Sequence, residues 1–206
     1  RPESVAPTEI PKGITIVPLS EQSVPKELKD QAKMEISKMQ QRGFVDAPES
    51  SVGTLDALDR ARIHKKDMLK PIDEITNKLA ILPSSLGVSQ LSKARLLGAQ
   101  EAGGLREGGW TGLFRLFSVP KLGLVGLEEN DYIASRGGFA MIKEAINQEV
   151  NGRPAILSVQ QSQSGKALSE LTWATDRKIY TLTFNRAIKT QKAINYVLGL
   201  ANEISD

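Results

Sequence analysis

The sequence predicts an α+β protein with a helical N-terminal half and a C-terminal half in which an antiparallel sheet packs against helices. Two patterns lead to this fold class. In the first half, apolar residues recur every three or four positions, as amphipathic helices require. In the second half, short apolar runs are separated by tight-turn sequences, as in antiparallel strands. Six glycines between residues 98 and 112 mark the change from one pattern to the other.

The composition is that of an ordinary folded protein. Hydrophobic side chains make up 40% of the 206 residues and charged ones 25%, so the chain can bury a core without disulfides or metals. The net charge of +3 is spread evenly: residues 1–105 hold 15 basic and 14 acidic side chains, and residues 106–206 hold 12 and 10. A nucleic-acid-binding protein would concentrate its basic residues. We therefore expect no nucleic-acid partner, and no apolar run is long enough to predict a transmembrane segment.

Residues 1–25 are predicted to form a flexible tether. They contain five prolines among scattered polar residues, a composition that buries little and resists regular structure. One short apolar run, residues 14–17, could add an edge strand. The chain also begins at Arg1 without a methionine, so we expect that a targeting segment has been cleaved or that the chain is shortened.

Residues 26–102 are predicted to be a helical region. Leu28, Ala32, Ile36 and Met39 form one apolar stripe in the first helix, which starts after Pro25 and stops at a glycine. Apolar spacing predicts further helices at residues 54–70, 71–82 and 89–100.

Residues 103–206 are predicted to form an α+β domain. Apolar runs predict strands at residues 113–119, 122–127, 154–161, 168–175 and 178–185. Helical spacing predicts helices at 139–149 and 187–204. A tight turn at Asp176-Arg177 would pair Trp173 with Tyr180 and Leu171 with Leu182 in the last hairpin.

The closing hairpin and helix resemble those of a known family. Leu171-x-Trp173, Tyr180-x-Leu182 and the amphipathic helix after them are similar to the end of PsbP-like domains and related bacterial exported lipoproteins. The resemblance covers roughly residues 110–206. It implies an α+β domain that binds partners or assists assembly and that is not an enzyme.

The residue types that carry most catalysis are sparse. With no cysteine there is no thiol nucleophile, disulfide or Cys-ligated zinc. His64 is the single histidine and lies among basic residues, too few ligands for a transition-metal site. The glycines at 103–109 lack the Lys and Ser/Thr of a phosphate-binding loop. We therefore predict no catalytic residues, no metal and no cofactor.

One acidic group leaves a catalytic alternative open. Glu128, Glu129 and Asp131 lie close together in the sequence, and paired carboxylates can serve as acid and base in hydrolysis or bind calcium. A solvated turn after a strand is the simpler interpretation. The aromatic residues of the second half, Trp110, Phe114, Trp173 and Tyr180 among them, could form a stacking platform but are expected to pack in the core.

These observations favour a non-enzymatic interaction protein. We expect an exported accessory protein of the bacterial cell envelope, periplasmic or extracellular and either free or tethered to the membrane, with another protein as its partner. Leu28, Ile36 and Met39 are the predicted partner-binding residues. Two alternatives remain: a hydrolase using the carboxylates near 128–131, and a cytosolic regulator whose helical half binds a partner helix.

Overall fold

The computed structural model describes residues 9–64 and 68–206 and has the predicted α+β class, with a mostly antiparallel sheet and surrounding helices. In chain order the strands are β1 (Ile14–Val17), β2 (Val45–Asp46), β3 (Arg95–Arg106), β4 (Gly109–Val119), β5 (Gly123–Asp131), β6 (Phe139–Ile142), β7 (Gln148–Val150), β8 (Arg153–Gln161), β9 (Ala167–Ala174) and β10 (Lys178–Phe184). The α-helices are α1 (Lys26–Arg42), α2 (Glu49–Val52), α3 (Thr54–His64), α4 (Ile72–Thr76), α5 (Gln90–Lys93) and α6 (Gln191–Asn202). Short 3₁₀ helices lie at Leu19–Glu21 and Lys143–Ala145.

The large sheet has eight strands in the order β2-β8-β9-β10-β5-β4-β3, with β7 also paired to β8. Its neighbouring strands run antiparallel except β2 and β8, which are parallel. A separate parallel ribbon joins β1 to β6, with Ile14 opposite Phe139. The large sheet is therefore built mainly by residues 95–184, and elements from both ends of the chain pack against it.

One face of the sheet forms the main core with α6. Because side chains alternate along a strand, Leu127, Leu171 and Leu182 point to the same face, where they meet Val197 and Leu200 of α6. The helix begins at Thr190, whose hydroxyl accepts a hydrogen bond from the Ala193 amide at 3.2 Å and caps the first turn.

The opposite face is covered at two places. Val52 and Leu55 of α2 and α3 pack on Leu116 and Leu168 of the sheet. At another part of the same face, the β1–β6 ribbon packs on residues that include Ile156 and Ile179. Between these two covers the sheet presents polar side chains to solvent.

The predicted closing hairpin is confirmed. Tyr180 pairs with Trp173, Leu182 with Leu171, and Thr181 with Thr172. The Trp173 and Tyr180 rings stack with their centroids 5.2 Å apart, and both side chains are buried. The three strands predicted between residues 154 and 185 are found within a residue or so of their expected ends, and α1 spans residues 26–42 as predicted.

Two predicted helices are wrong. The segment predicted as a helix at 139–149 instead forms β6, a 3₁₀ turn and β7, because its backbone pairs with β1 and β8. The helix predicted at 89–100 ends at Lys93, and the rest belongs to β3, which pairs with β4. In both cases tertiary pairing overrides a helical spacing of apolar residues.

The first half of the chain also contains less helix than predicted. α3 ends at His64, before the undescribed residues 65–67, and α4 covers five residues, because Lys70 and Leu79 form bridges to the sheet at Ala99 and Trp110. The N-terminal half therefore lines the sheet with short helices joined by bridging segments.

The predicted segments 1–25, 26–102 and 103–206 can be placed on the fold. Residues 1–8 of the expected tether lie outside the described residues; in the rest of it, residues 14–17 form β1 and Leu19 is buried. Residues 102 and 103, on either side of the expected boundary, both lie in β3, which pairs with β4. The division into segments stays a prediction.

The glycine-rich stretch makes a close approach possible. Gly109 has a φ of 126°. The next residue, Trp110, exchanges backbone hydrogen bonds with Lys78 and Ala80. A Cβ atom at Gly109 would lie 2.3 Å from the carbonyl oxygen of Lys78. Only glycine accommodates both the dihedral angle and the contact.

We therefore expect Gly109→Ala to destabilise the protein by at least about 1–3 kcal/mol, the cost of that backbone conformation alone. Gly104→Ala is the matched control, since its methyl group would meet none of the described atoms within 4 Å. Urea unfolding of both variants measures the difference. Equal stability of the two would contradict the structural role of Gly109.

Candidate functional site

The acidic cluster predicted at the end of β5 is divided between the two faces of the sheet. Glu129 points to the α6 side and is fully buried, and Glu128 points to the opposite side and is exposed. Asp131 is fully buried as well. Successive residues of a strand face opposite ways, so the three carboxylates do not converge on one site.

Glu129 is held by two buried cations. Its Oε2 accepts a hydrogen bond from Nη2 of Arg115 at 2.6 Å, and its Oε1 accepts one from Nζ of Lys178 at 3.0 Å. The backbone amide and hydroxyl of Ser84 also donate to Oε1, at 2.9 and 3.0 Å. All of these side chains are buried, so the carboxylate is fully occupied within the protein.

The same contacts extend to the C-terminal residue. The Ser84 hydroxyl lies 2.6 Å from the hydroxyl of Tyr180, which donates to Oδ1 of Asp206 at 2.7 Å. Lys178 donates to the hydroxyl of Ser84 and to the carbonyl of Leu82. Burial raises the pKa of Tyr180, which keeps the phenol protonated. We call Ser84, Arg115, Glu129, Lys178, Tyr180 and Asp206 the Glu129 network.

Asp131 has a structural partner of its own. Its Oδ2 accepts from Nε of Arg177 at 2.6 Å, and its Oδ1 accepts from the amide of Ala134 at 2.7 Å. These bonds fix the turn after β5. A lysine or serine nucleophile would need access to substrate, and Ser84 and Lys178 are 3% exposed. The Glu129 network therefore holds the fold together and keeps its serine and lysine away from solvent, while Asp206 at its edge is exposed.

Glu128 has a neighbour that the sequence did not suggest. Glu170 of β9 lies on the same open face, across β10, and both carboxyl groups have raised pKa values. Partial burial is the main cause for both, and the charge of Glu128 raises the pKa of Glu170 further. The hydroxyls of Thr172 and Thr181, 3.2 Å apart, lie on this face too.

The other sequence candidates are placed as follows. His64 is exposed at the end of α3, and among the described residues no group of three or more His, Asp or Glu could hold a metal ion. The glycines at 103–109 form the β3–β4 turn region, and Trp173 and Tyr180 belong to the main core. None of these groups makes an open stacking platform or a phosphate loop.

The predicted partner-binding residues lie on α1. Leu28, Ala32, Ile36 and Met39 form the apolar stripe, as expected from their spacing. None of the 17 residues of α1, all of which the structure describes, is buried. Leu28 is exposed, whereas Ile36 and Met39 are half-buried and line a cleft beneath the helix.

This cleft is enclosed by four elements. α1 forms one wall, and β8, the 142–148 segment and the start of α6 form the others. Its volume is about 460 Å³, within the usual range of small-molecule sites. Its apolar lining residues are Ala32, Ile36, Met39, Val45, Ile142, Ala145, Ile146, Ile156, Leu157, Ile188 and Ile194.

Exposed polar contacts hold α1 at both ends. Near its start Lys29 donates to the carbonyl of Ser20 at 2.9 Å. At its end Arg42 and Lys38 contact Asp46 at 2.6 and 3.3 Å, and these hydrogen bonds lower the pKa of Asp46. α1 therefore spans the cleft. Polar contacts hold its two ends, and none of its residues is fully buried.

Sequence reasoning missed the cations that neutralise Glu129. Arg115 and Lys178 were not among the sequence candidates, although both occupy inward-facing positions in the alternation of their strands. Arg115 alternates with the buried Leu113 and Phe117, and Lys178 precedes the buried Tyr180 by two positions. A charged residue at an inward-facing strand position was the available signal.

Comparisons with known proteins give no match, whether with family models, with curated proteins or with solved structures. The resemblance to PsbP-like domains stays a prediction. No helix within residues 9–64 and 68–206 is long and apolar enough to cross a membrane.

We expect Glu129→Gln to destabilise the fold by about 3–5 kcal/mol, because it leaves Arg115 and Lys178 buried without a counter-charge. Glu128→Gln, one residue away on the open face, is the matched control and is expected to cost less than about 0.5 kcal/mol. Denaturant unfolding of both variants tests this. A loss below about 1 kcal/mol for Glu129→Gln would show that the buried charges are compensated elsewhere.

The open-face pair predicts a pH dependence. Because the pKa values of Glu128 and Glu170 are raised in the folded state, the folded protein binds protons there more tightly than the unfolded chain. The resulting stabilisation is complete below the unfolded pKa of about 4.3 and is lost as the pH rises through the folded values.

The double variant Glu128→Gln, Glu170→Gln should therefore be more stable than the parent protein at pH 7. The gain should shrink as the pH falls towards about 4. Unfolding free energies measured from pH 4 to pH 8 give the comparison. A gain that is constant over this range would contradict the pKa shifts.

Proposed function

We propose that this protein is a non-enzymatic interaction module that binds another protein through α1, and that it works as an exported accessory protein of the bacterial cell envelope. The observation that carries the proposal is the apolar stripe of α1, which buries none of its residues fully. Most helices in proteins are stabilised by packing an apolar face. A helix that leaves this face available is suited to pack against a partner.

The open end of the stripe supports a protein partner. Leu28 is 53% exposed, and Val24, just before the helix, is 40% exposed. The remaining surface of the helix carries both signs of charge, with five basic and three acidic side chains. An apolar strip with a mixed-charge border is typical of a protein interface.

The arrangement of the carboxylates favours binding over turnover. Hydrolysis by a carboxylate pair needs two groups that face one substrate. Glu129 is bonded to buried cations and the buried Asp131 to the exposed Arg177, and Glu128 lies on the other face. The pair Glu128 and Glu170 is the remaining candidate for the hydrolase alternative.

The compartment is part of the same proposal. A cysteine-free chain suits an oxidising compartment such as the periplasm, where free thiols are readily oxidised. Fractionation of the cells that make the protein tests this directly. Recovery in the cytosolic fraction would favour the alternative of a cytosolic regulator.

We expect Leu28→Ser to weaken capture of a specific partner protein while the fold is retained. Met34→Ser is the matched control, because Met34 lies on the same helix, is 52% exposed and is off the apolar stripe. Affinity purification with the parent and the two variants, followed by a binding measurement with the identified partner, gives the readout. A truncated interface leucine at the centre of contact would cost about 1–2 kcal/mol, or roughly 5–30-fold in affinity.

Two results would contradict the proposal. One is a partner that binds the two variants equally well. The other is a hydrolytic activity of the purified protein that Glu128→Gln or Glu170→Gln removes.

A further inference from the structure

We propose that the cleft beneath α1 binds a free single-chain anionic amphiphile, that is, an aliphatic carboxylate. This goes beyond the proposed protein interaction, since it concerns the enclosed end of the stripe at Ile36 and Met39 and not the open end at Leu28. The lining of the cleft, its volume and the charges at one of its ends each contribute to the inference.

The lining suits an aliphatic chain. Aliphatic side chains from α1, the 142–148 segment, β8 and α6 surround the space, and its floor includes Leu157 and Ile188 of the main core. No aromatic side chain lines the cleft among the described residues. Removing water from such a surface is favourable in proportion to the apolar area covered, and a flexible chain can follow the branched side chains.

The volume suits a small ligand. The cleft holds about 460 Å³, within the usual range of small-molecule sites. Because α1 already forms one wall of this space, a single extended chain lying beneath the helix is the occupant we favour.

The charges at the C-terminal end of α1 select the head group. Lys189 lines the cleft, where its Nζ donates to the amide oxygen of Gln161 at 2.9 Å and lies 4.6 Å from the centre of the Phe44 ring. No carboxylate of the described residues lies within 4.0 Å of it. Arg42 stacks on the same ring at 4.2 Å, and Arg42 and Lys38 share the carboxylate of Asp46.

This end therefore carries three cations and one carboxylate. Two acidic residues also line the cleft: Glu144 accepts from the Leu19 amide at 2.9 Å, and Glu35 of α1 accepts from the neutral amide of Gln31 at 3.0 Å. An anionic head group beside Lys189 would reduce the surplus of positive charge at this end, with the chain running along Met39 and Ile36.

The first measurement compares head groups and chain lengths on the purified protein. Isothermal titration with decanoate, decanol and decyltrimethylammonium, each below its micelle concentration, should give saturable 1:1 binding with decanoate tightest and the cation weakest. Octanoate, decanoate and dodecanoate should differ by up to about fourfold in affinity per methylene. Equal affinity for the three head groups, or no saturable binding, would overturn the proposal.

Matched variants locate the site. Ile36→Asp places a carboxylate in the wall of the cleft and should reduce decanoate affinity at least tenfold, whereas Leu28→Asp, on the same stripe outside the cleft, should leave it unchanged. Lys189→Gln should remove the preference for decanoate over decanol, and Lys192→Gln, on the outside of α6, should keep it. Circular dichroism confirms that α1 remains folded in each variant. Retention of decanoate binding by Ile36→Asp would exclude the cleft.

A vesicle sedimentation assay distinguishes binding of a free amphiphile from binding of a membrane lipid. The protein should not sediment with phosphatidylglycerol–phosphatidylcholine vesicles while it binds decanoate. Sedimentation that Ile36→Asp abolishes, without decanoate binding, would overturn the assignment of a free ligand. Because these assays need no partner protein, their outcome is independent of the interaction proposal, which depends on Leu28.

Discussion

The buried carboxylate of Glu129 is the constraint on which the rest of the structure depends. It lies in the middle of the sheet with Arg115 and Lys178 beside it, and taking three charges out of water is costly unless each is paired and hydrogen-bonded. Pairing requires β4, β5 and β10 to be in register. The remaining hydrogen bonds require the 82–84 loop and the C-terminal residue to be in place. A polar group of this kind penalises alternative packings more than it stabilises the native one, so it selects a single arrangement of these elements.

The parts of the fold that could be predicted from sequence are those in which local pattern and tertiary environment agree. α1 has a proline before it, a glycine after it and a clear stripe, and its bounds follow from these signals alone. The last hairpin has a tight turn and strands with a period of two, which determine both the pairing and the face of Trp173 and Tyr180. The predicted apolar stripe of α1 also led to the cleft, although its walls from β8 and the 142–148 segment could not be foreseen.

The parts that could not be predicted depend on partners far away in the chain. Phe139 and Ile142 have helical spacing, and what makes them a strand is the backbone of residues 14–17. The Glu129 network brings together residues 84, 115, 129, 178, 180 and 206, of which only Lys178 and Tyr180 are near each other in sequence. The three neighbouring carboxylates, by contrast, suggested a site that the alternation of a strand divides. Proximity in sequence was misleading there because the segment is extended and not helical.

The parallel pairing of β1 with β6 has a consequence for biosynthesis. Ile14 pairs with a residue 125 positions later, so β1 has no strand to join until most of the sheet has left the ribosome. At about 5–20 residues per second, the interval is roughly 6–25 s. During that time the apolar edge formed by Ile14 and Ile16 is open to other chains. The prolines at positions 11 and 18, on either side of the strand, limit how far an intruding strand could extend the pairing. The nascent chain therefore carries its own protection against aggregation at the segment that waits longest.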